Sequence, residues 1–196
     1  MPDRKAVADR ETKETRIHAE LSLDGDGVSK IQCGVGFLEH MLDLLARHAR
    51  LDLTLEAAGD VEVDDHHTVE DVGIVLGQLI DEALGDRAGI TRFGHAAVPM
   101  DEALAEAAID LSGRGALVFN AQFGQEKVGS YDTTLTNEFF QAVAANARMT
   151  LHVNVPYGRD GHHVTEAIFK AFARALAQAV QLDPRVKGIP STKGTL

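Results

Sequence analysis

Two short stretches of this chain carry the same histidine–glutamate pattern, and both could bind metal ions. The residues are His66, His67, Glu70, His162, His163 and Glu166. Residues four apart share one face of a helix, so the first histidine and the glutamate of each motif can bind one ion. The second histidine points about 100° away around a helix of 3.6 residues per turn. The pattern therefore predicts two metal sites that exchange ligands between two parts of the chain.

The residue types indicate a transition metal. Imidazole nitrogens with carboxylate oxygens suit Mn, Fe, Co, Ni or Zn better than Ca or Mg. With Cys33 as the single cysteine, the chain has no cysteine cluster for a structural zinc site. One adjacent histidine pair is weak evidence, because histidines also cap helices and fill polar pockets. Two pairs with glutamate at the same offset, each at the start of a predicted helix, favour metal binding.

Further ligands are expected in the helix that precedes each motif. His40 lies in GFLEHM, and aligning the two parts of the chain on their shared Ala-Arg places Glu138 opposite it. By this internal symmetry one site would contain His40, His67, His162 and Glu166. The other site would contain Glu138, His66, His163 and Glu70. The second site has one more carboxylate, which favours a harder ion such as Mn²⁺. Whether the sites form within one subunit or between subunits stays open at this point.

The elements that position these residues are also duplicated. Matching segments recur 88 to 98 residues apart. We predict an α/β (α+β) fold of two half-domains, residues 11–91 and 92–182, each a β-sheet with helices packed on one face. The expected strands are 16–23, 28–33, 51–57, 105–111, 116–123 and 149–155, and the expected helices are 36–49, 65–84, 137–147 and 162–180. Residues 1–10 are expected to be disordered and residues 183–196 to form an irregular tail.

Composition limits the class of function. The chain has 196 residues, 44% hydrophobic and 25% charged, which is typical of a globular protein. A net charge of −11 without a basic stripe argues against nucleic-acid binding. No apolar run reaches about 18 residues, so we expect no membrane span. One cysteine cannot form an intrachain disulfide, which makes the cytoplasm the expected location.

Several segments together identify a family. GFLEHMLDLLARH, DDHHTVEDVGI, RFGHAAVPMDEAL, DLSGRG, HHVTEAIFKAFARAL and IPSTKG occur in this order. In that order they resemble imidazoleglycerol-phosphate dehydratases, over residues 12–194. The resemblance implies a lyase of histidine biosynthesis that converts D-erythro-imidazole glycerol phosphate to imidazole acetol phosphate with two Mn²⁺ ions. It also implies a duplicated subunit, a homo-oligomeric shell of 24 subunits built from trimers, and active sites where subunits meet.

The resemblance assigns roles to individual residues. Among the metal ligands it places His40, His66, His67, Glu70, His162, His163 and Glu166. Glu14 in TKET matches a glutamate that contacts substrate and takes part in catalysis. The residues that match the phosphate-binding set are Arg92, Arg114, Lys170, Ser191, Thr192 and Lys193. One departure is Asn137-Glu138, where members of the family commonly have Glu-His with the histidine as a ligand. We expect Glu138 to bind metal instead, or that coordination position to stay open or water-filled.

These residues suit a dehydration. Metals bound to both ring nitrogens of the substrate would stabilise negative charge as an imidazolate-like intermediate. Hydroxide could then leave, and Glu14 could shuttle the proton, since a carboxylate near metals can be tuned for acid–base work. Without the resemblance, Glu14 reads as a solvated surface residue. Two alternatives stay open from the residues alone: a dinuclear metallohydrolase, and a shell protein that binds metal without catalysis.

Overall fold

The computed structural model describes residues 4–196 and contains two four-stranded sheets with four helices. The first half comprises β1 (Lys5–Glu11), β2 (Thr15–Ser22), β3 (Ser29–Gln32), α1 (Gly36–Ala49), β4 (Asp52–Gly59) and α2 (His66–Leu84). The second half comprises β5 (Phe93–Met100), β6 (Ala103–Asp110), β7 (Ala116–Asn120), β8 (Lys127–Val128), β9 (Tyr131–Asp132), α3 (Leu135–Asn146), β10 (Thr150–Tyr157) and α4 (Gly161–Ala179). The short strands β8 and β9 form a hairpin of their own.

The two sheets have the same topology, which agrees with an internal duplication. Their strand orders are β1-β2-β4-β3 and β5-β6-β10-β7. In each sheet the first three strands of the order are antiparallel and the fourth is parallel to its neighbour. Alternate residues of β2 are buried, as expected for a sheet with one face against a core and one towards solvent.

The helices of the two halves pack against each other in parallel pairs, α1 with α4 and α2 with α3. A Cβ on Gly73 would lie 2.8 Å from the Phe139 carbonyl oxygen, and one on Gly77 would lie 2.8 Å from that of Val143. Glycine thus allows the backbones of α2 and α3 to approach closely. The buried apolar side chains form one core that includes both halves. Within residues 4–196, no helix is long and apolar enough to cross a membrane.

The predicted elements are confirmed in type, and the strands that were not predicted are the edge strands β1 and β5 and the short hairpin β8–β9. The expectation of disorder for residues 1–10 is wrong for the described part, because Lys5–Glu11 form edge strand β1; residues 1–3 lie outside the described residues. The segment 86–101, which connects the two halves, contains the edge strand β5. Edge strands tolerate charged and small residues. For this reason β1 and β5 lack the alternation of large apolar residues by which strands are predicted. Beyond an isolated bridge from Leu182 to Ile90, the C-terminal segment has no regular element.

Candidate metal centre

Three of the predicted ligands meet where α1 packs on α4. His40 comes from α1, while His162 and Glu166 lie one turn apart on α4, and their ligand atoms all lie within 4.8 Å of one another. The Glu166 carboxylate is 3.2 Å from His162 Nε2 and 3.7 Å from His40 Nε2. The Asp160 side chain accepts hydrogen bonds from the backbone of His162 and His163 and so starts α4 at the motif. We call His40, His162 and Glu166 the histidine–glutamate triad.

The Glu166 carboxylate supplies the negative charge of this triad. Glu166 is 6% exposed, and its Oε1 lies 2.6 Å from the Lys170 ammonium one turn further along α4. Burial opposes ionisation of Glu166, but Lys170 and the two histidines hold its pKa below the usual value. Two imidazoles and an ionised carboxylate with ligand atoms within 4.8 Å of one another fit a divalent transition metal.

The second predicted site is less complete within one chain. His66 and Glu70 lie on one face of α2, with 3.9 Å between His66 Nε2 and the Glu70 carboxylate. Glu138 lies in the first turn of α3, beside α2, and is partly exposed. The structure shows no polar contact of Glu138 with His66 or Glu70 among the described residues. A cavity of about 460 Å³ borders His66. Another cavity, of about 390 Å³, lies near His48 and Arg174 and contains none of the predicted metal ligands.

The remaining histidine of each motif lies away from both groups. His67 Nδ1 lies 3.1 Å from Asp60, and His163 Nδ1 lies 2.6 Å from Glu102. These hydrogen bonds are the main reason why the pKa of each imidazole is raised. The structure therefore does not bring His67 to the triad, nor His163 to His66 and Glu70, within one chain. A carboxylate on Nδ1 leaves Nε2 of each ring as the atom that could bind a metal.

Glu14 lies next to one of these histidines. It occupies the turn between β1 and β2, and its carboxylate is 4.0 Å from His67 Nε2. Glu102, 88 residues later, occupies the equivalent turn between β5 and β6. Glu102 accepts hydrogen bonds from the backbone of Asp160 and Arg159 and from His163, which together lower its pKa to about 2. No such hydrogen bond to the Glu14 carboxylate is present in residues 4–196.

The predicted phosphate-binding residues fall into two places. Arg92 forms an ion pair with Asp110 at 2.7 Å and donates to the Pro190 carbonyl at 2.8 Å, next to Ser191, Thr192 and Lys193. Arg114 lies in the turn where Gly113 closely approaches Leu196, so it also lies beside the tail. These residues lie at the C-terminal end of α4, since the Arg92 amide donates to the Ala179 carbonyl. Lys170 lies instead at the triad.

Sequence reasoning did not identify the carboxylate partners of the histidines. Asp60 lies in the loop before α2, and nothing in its spacing indicated a contact with His67. Glu102 carried a signal, because it repeats Glu14 at the offset of the duplication, but its hydrogen bond to His163 depends on how the β5–β6 turn meets α4.

Comparison with known proteins gives a consistent result. A sequence model of the family described as imidazoleglycerol-phosphate dehydratase matches residues 33–176. The chain is 61% identical to imidazoleglycerol-phosphate dehydratase of Granulibacter bethesdensis, covering 98% of this chain and 99% of the relative. It is 55% identical to that of Oceanobacillus iheyensis, covering 98% and 100%. The crystal structure of the Staphylococcus aureus protein of the same name is 45% identical, with a TM-score of 0.84 over 91% and 99% of the two chains.

Proposed function

This chain belongs to the imidazoleglycerol-phosphate dehydratase family, and on that premise we propose that two divalent transition-metal ions, Mn²⁺ first among them, serve its reaction. The reaction is the hydro-lyase step of histidine biosynthesis that converts imidazole glycerol phosphate to imidazole acetol phosphate. The observation that carries the metal proposal is the histidine–glutamate triad. Two imidazoles and one buried, ionised carboxylate converge there from two helices.

The internal symmetry supports a second ion at His66 and Glu70. These residues repeat His162 and Glu166 and have the same spacing on α2. Glu138 repeats His40 in the first turn of the partner helix, where it would add a carboxylate. When bound, the metals would withdraw electrons from the imidazole ring of the substrate and so acidify the proton on the neighbouring carbon.

The position of the phosphate-binding residues supports active sites between subunits. Arg92 contacts the end of α4 at Ala179, and His162 begins that helix. At about 1.5 Å per residue, the two ends of α4 are roughly 25 Å apart. A substrate with three carbons between ring and phosphate spans less than about 10 Å. One chain therefore cannot hold both ends of the substrate with these residues, whereas the tail of one subunit can serve the metals of another.

His67 and His163 support the same arrangement. Each ring makes its short carboxylate contact through Nδ1, and its Nε2 has only a longer one, 4.0 Å to Glu14 for His67 and 3.6 Å to Asp101 for His163. Neither ring reaches the metal ligands of its own chain. In a homo-oligomer these histidines can complete metal sites on neighbouring subunits. We therefore propose the assembly that the family resemblance implies, a shell of 24 subunits built from trimers.

Glu14 is the proposed proton-transfer group. Its carboxylate accepts no hydrogen bond from the described residues and lies 4.0 Å from His67 Nε2, so it can accept a proton from bound substrate. Arg92, Arg114 and the Ser191–Lys193 tail would hold the phosphate through guanidinium, ammonium and hydroxyl donors. Lys170 would add positive charge beside the triad.

Product formation from imidazole glycerol phosphate by chelator-stripped protein, with and without added Mn²⁺, tests this proposal. We expect imidazole acetol phosphate only with the metal, and two bound ions per chain. Glu14→Gln should lower kcat by about 10²- to 10⁴-fold without changing the metal content. Glu11→Gln, on the exposed end of β1, is the matched control and should keep its activity. Metal-independent turnover would refute the metal proposal, and an active Glu14→Gln variant would refute the role of Glu14.

The cytoplasm is the proposed location. Histidine biosynthesis is a metabolic activity, and the single cysteine, Cys33, is an unpaired buried thiol. Burial raises the pKa of Cys33 to about 11, so the thiol stays protonated and unreactive near neutral pH.

A further inference from the structure

The turns that carry Glu14 and Glu102 are held in place in different ways. Both glutamates are the second residue of a two-residue turn in a hairpin, β1–β2 or β5–β6. The Glu102 carboxylate is itself the anchor, because it binds two backbone amides and His163. Hydrogen bonds of this kind stabilise the ionised carboxylate and so make it a weaker base, which is unfavourable for a group that accepts a proton. The β1–β2 turn therefore needs another anchor.

A polar network that is buried at Thr15 and Asp71 connects that turn to α2. The Thr12 hydroxyl accepts hydrogen bonds from the backbone amides of Glu14 at 3.1 Å and Thr15 at 3.0 Å. The Thr15 hydroxyl, within 3.2 Å of that of Thr12, donates to Asp71 Oδ2 at 2.5 Å. The other Asp71 oxygen lies 2.8 Å from an Arg10 nitrogen. The network thus links the backbone on both sides of the turn to the buried side of α2.

The second half has no such network at the equivalent positions. The offset between the two hairpins places Val98 opposite Arg10 and Ala103 opposite Thr15, and the offset between α2 and α4 places Ala167 opposite Asp71. Packing confirms part of this alignment. A Cβ on Gly59 would meet Thr68 and Thr15, and a Cβ on Gly158 would meet Val164 and Ala103. The same backbone arrangement is therefore packed with apolar side chains in one half and polar ones in the other.

The polar version is unfavourable as packing. Asp71 is 7% exposed and Thr15 is 4% exposed, so a charge and a hydroxyl are withdrawn from water. Arg10 Nε and Thr68 Oγ1 are buried and have no hydrogen-bond partner among residues 4–196. Replacing buried ion pairs by well-packed apolar residues is often neutral or stabilising. Because the second half shows that this position can be filled by Val and Ala, stability alone does not account for the network.

We propose that Arg10, Thr15 and Asp71 are positioning residues that hold the turn carrying Glu14. The Glu14 carboxylate then keeps its position towards the substrate without itself accepting a hydrogen bond from the turn. This inference rests on the proposed role of Glu14 in proton transfer. The network fixes the backbone of the turn through the Thr12 and Thr15 hydroxyls. It makes no contact with the carboxylate oxygens of Glu14, which can therefore face the substrate.

A variant that carries the apolar residues of the second half tests the proposal. In Arg10→Val/Thr15→Ala/Asp71→Ala we expect an unchanged or higher Tm, unchanged Mn²⁺ content and a KM within threefold of the parent. Because a displacement of about 1 Å can reduce catalysis by about 10²-fold, kcat should fall by that order. A kcat within twofold of the parent, or a change confined to KM, would overturn the proposal.

Combining this triple variant with Glu14→Gln separates positioning from a general structural effect. If the network acts through Glu14, the triple change should lower kcat no further in the Glu14→Gln background. Additive losses would refute the proposal. If Glu14→Gln lowers kcat but the triple variant is fully active, the positioning role of the network is refuted and the role of Glu14 stands. If Glu14→Gln is itself active, the role of Glu14 on which the proposal rests is refuted.

Two further variants keep the test decisive if the triple variant does not fold. Thr15→Val replaces the hydroxyl by a methyl group and should lower kcat about tenfold, while Thr15→Ser retains the hydroxyl and should keep kcat within twofold of the parent. Equal kcat values for the two would overturn the proposal. Arg87→Met is the control for loss of a buried ion pair, since Arg87 contacts Asp81 and two carbonyls away from the turn. It should lower Tm and leave kcat unchanged.

Discussion

Lys170 neutralises Glu166 in the metal-free chain, so its removal should matter most when no metal is bound. The Lys170 ammonium is 19% exposed and lies 2.6 Å from the Glu166 carboxylate, which is 8% exposed as a side chain. In Lys170→Met the carboxylate keeps only the partial compensation of His40 and His162. A divalent cation bound at the triad would supply the missing positive charge.

The size of the effect follows from this burial. Loss of one partner of a fully buried ion pair costs about 3–5 kcal/mol, and the two nearby imidazoles reduce this to about 1–3 kcal/mol. For a chain of this length, 1 kcal/mol corresponds to about 2–4 °C in Tm. Lys170→Met should therefore lower the Tm of metal-free protein by about 2–12 °C, and by less than half as much with saturating Mn²⁺.

Thermal unfolding of parent and variant at one protein concentration, with chelator or with Mn²⁺, measures this difference. Lys30→Met is the control, because Lys30 pairs with Glu56 at 3.1 Å on an exposed surface. It should change the free energy of unfolding by less than about 1 kcal/mol in either condition. An equal loss of Tm for Lys170→Met with and without Mn²⁺ would show that the metal does not bind where Lys170 acts.

Three other changes test separate parts of the structure. Gly77→Ala should lower the free energy of unfolding by about 1–3 kcal/mol in denaturant titrations, since its Cβ would lie 2.8 Å from the Val143 carbonyl oxygen; an unchanged midpoint would contradict this close packing. The pKa of Glu102 is about 2 instead of 4.5, so its charge stabilises the fold above about pH 4.5, and this contribution disappears as pH falls towards 2. Metal-free Glu102→Gln should have a lower Tm than the parent at pH 7, and its Tm should fall less on acidification. If the Tm of parent and variant falls equally with pH, Glu102 does not contribute in this way. Glu138→Gln should reduce bound Mn²⁺ from two ions per chain towards one in equilibrium dialysis, and unchanged stoichiometry would remove Glu138 from the ligands.

The sequence predicted those parts of the fold whose signal is local. The bounds of α1 and α2 follow from apolar periodicity, and the contacts within His66–Glu70 and His162–Glu166 follow from their spacing on a helix. The internal symmetry and the family resemblance both placed His40 with His162 and Glu166, and the structure brings these three side chains together.

Long-range contacts explain what could not be predicted. The edge strand β1 has one buried residue, Ala6, so its pairing with β2 depends on backbone hydrogen bonds that no alternation of side chains reports. Asp60 reaches His67 from a loop of irregular conformation. The separation of Lys170 from Arg92 depends on where the segment before β5 crosses the C-terminal end of α4, at Ala179.

The parallel pairing of helices across the two halves has an evolutionary consequence. His40 belongs to one half and His162 to the other, so a polypeptide of half this length could form the triad only by associating with a second copy of itself. Two identical copies would have produced two identical sites. Within one chain the two copies can differ, and the positions of His40 and Glu138 carry an imidazole in one half and a carboxylate in the other, while the shared core keeps the halves together.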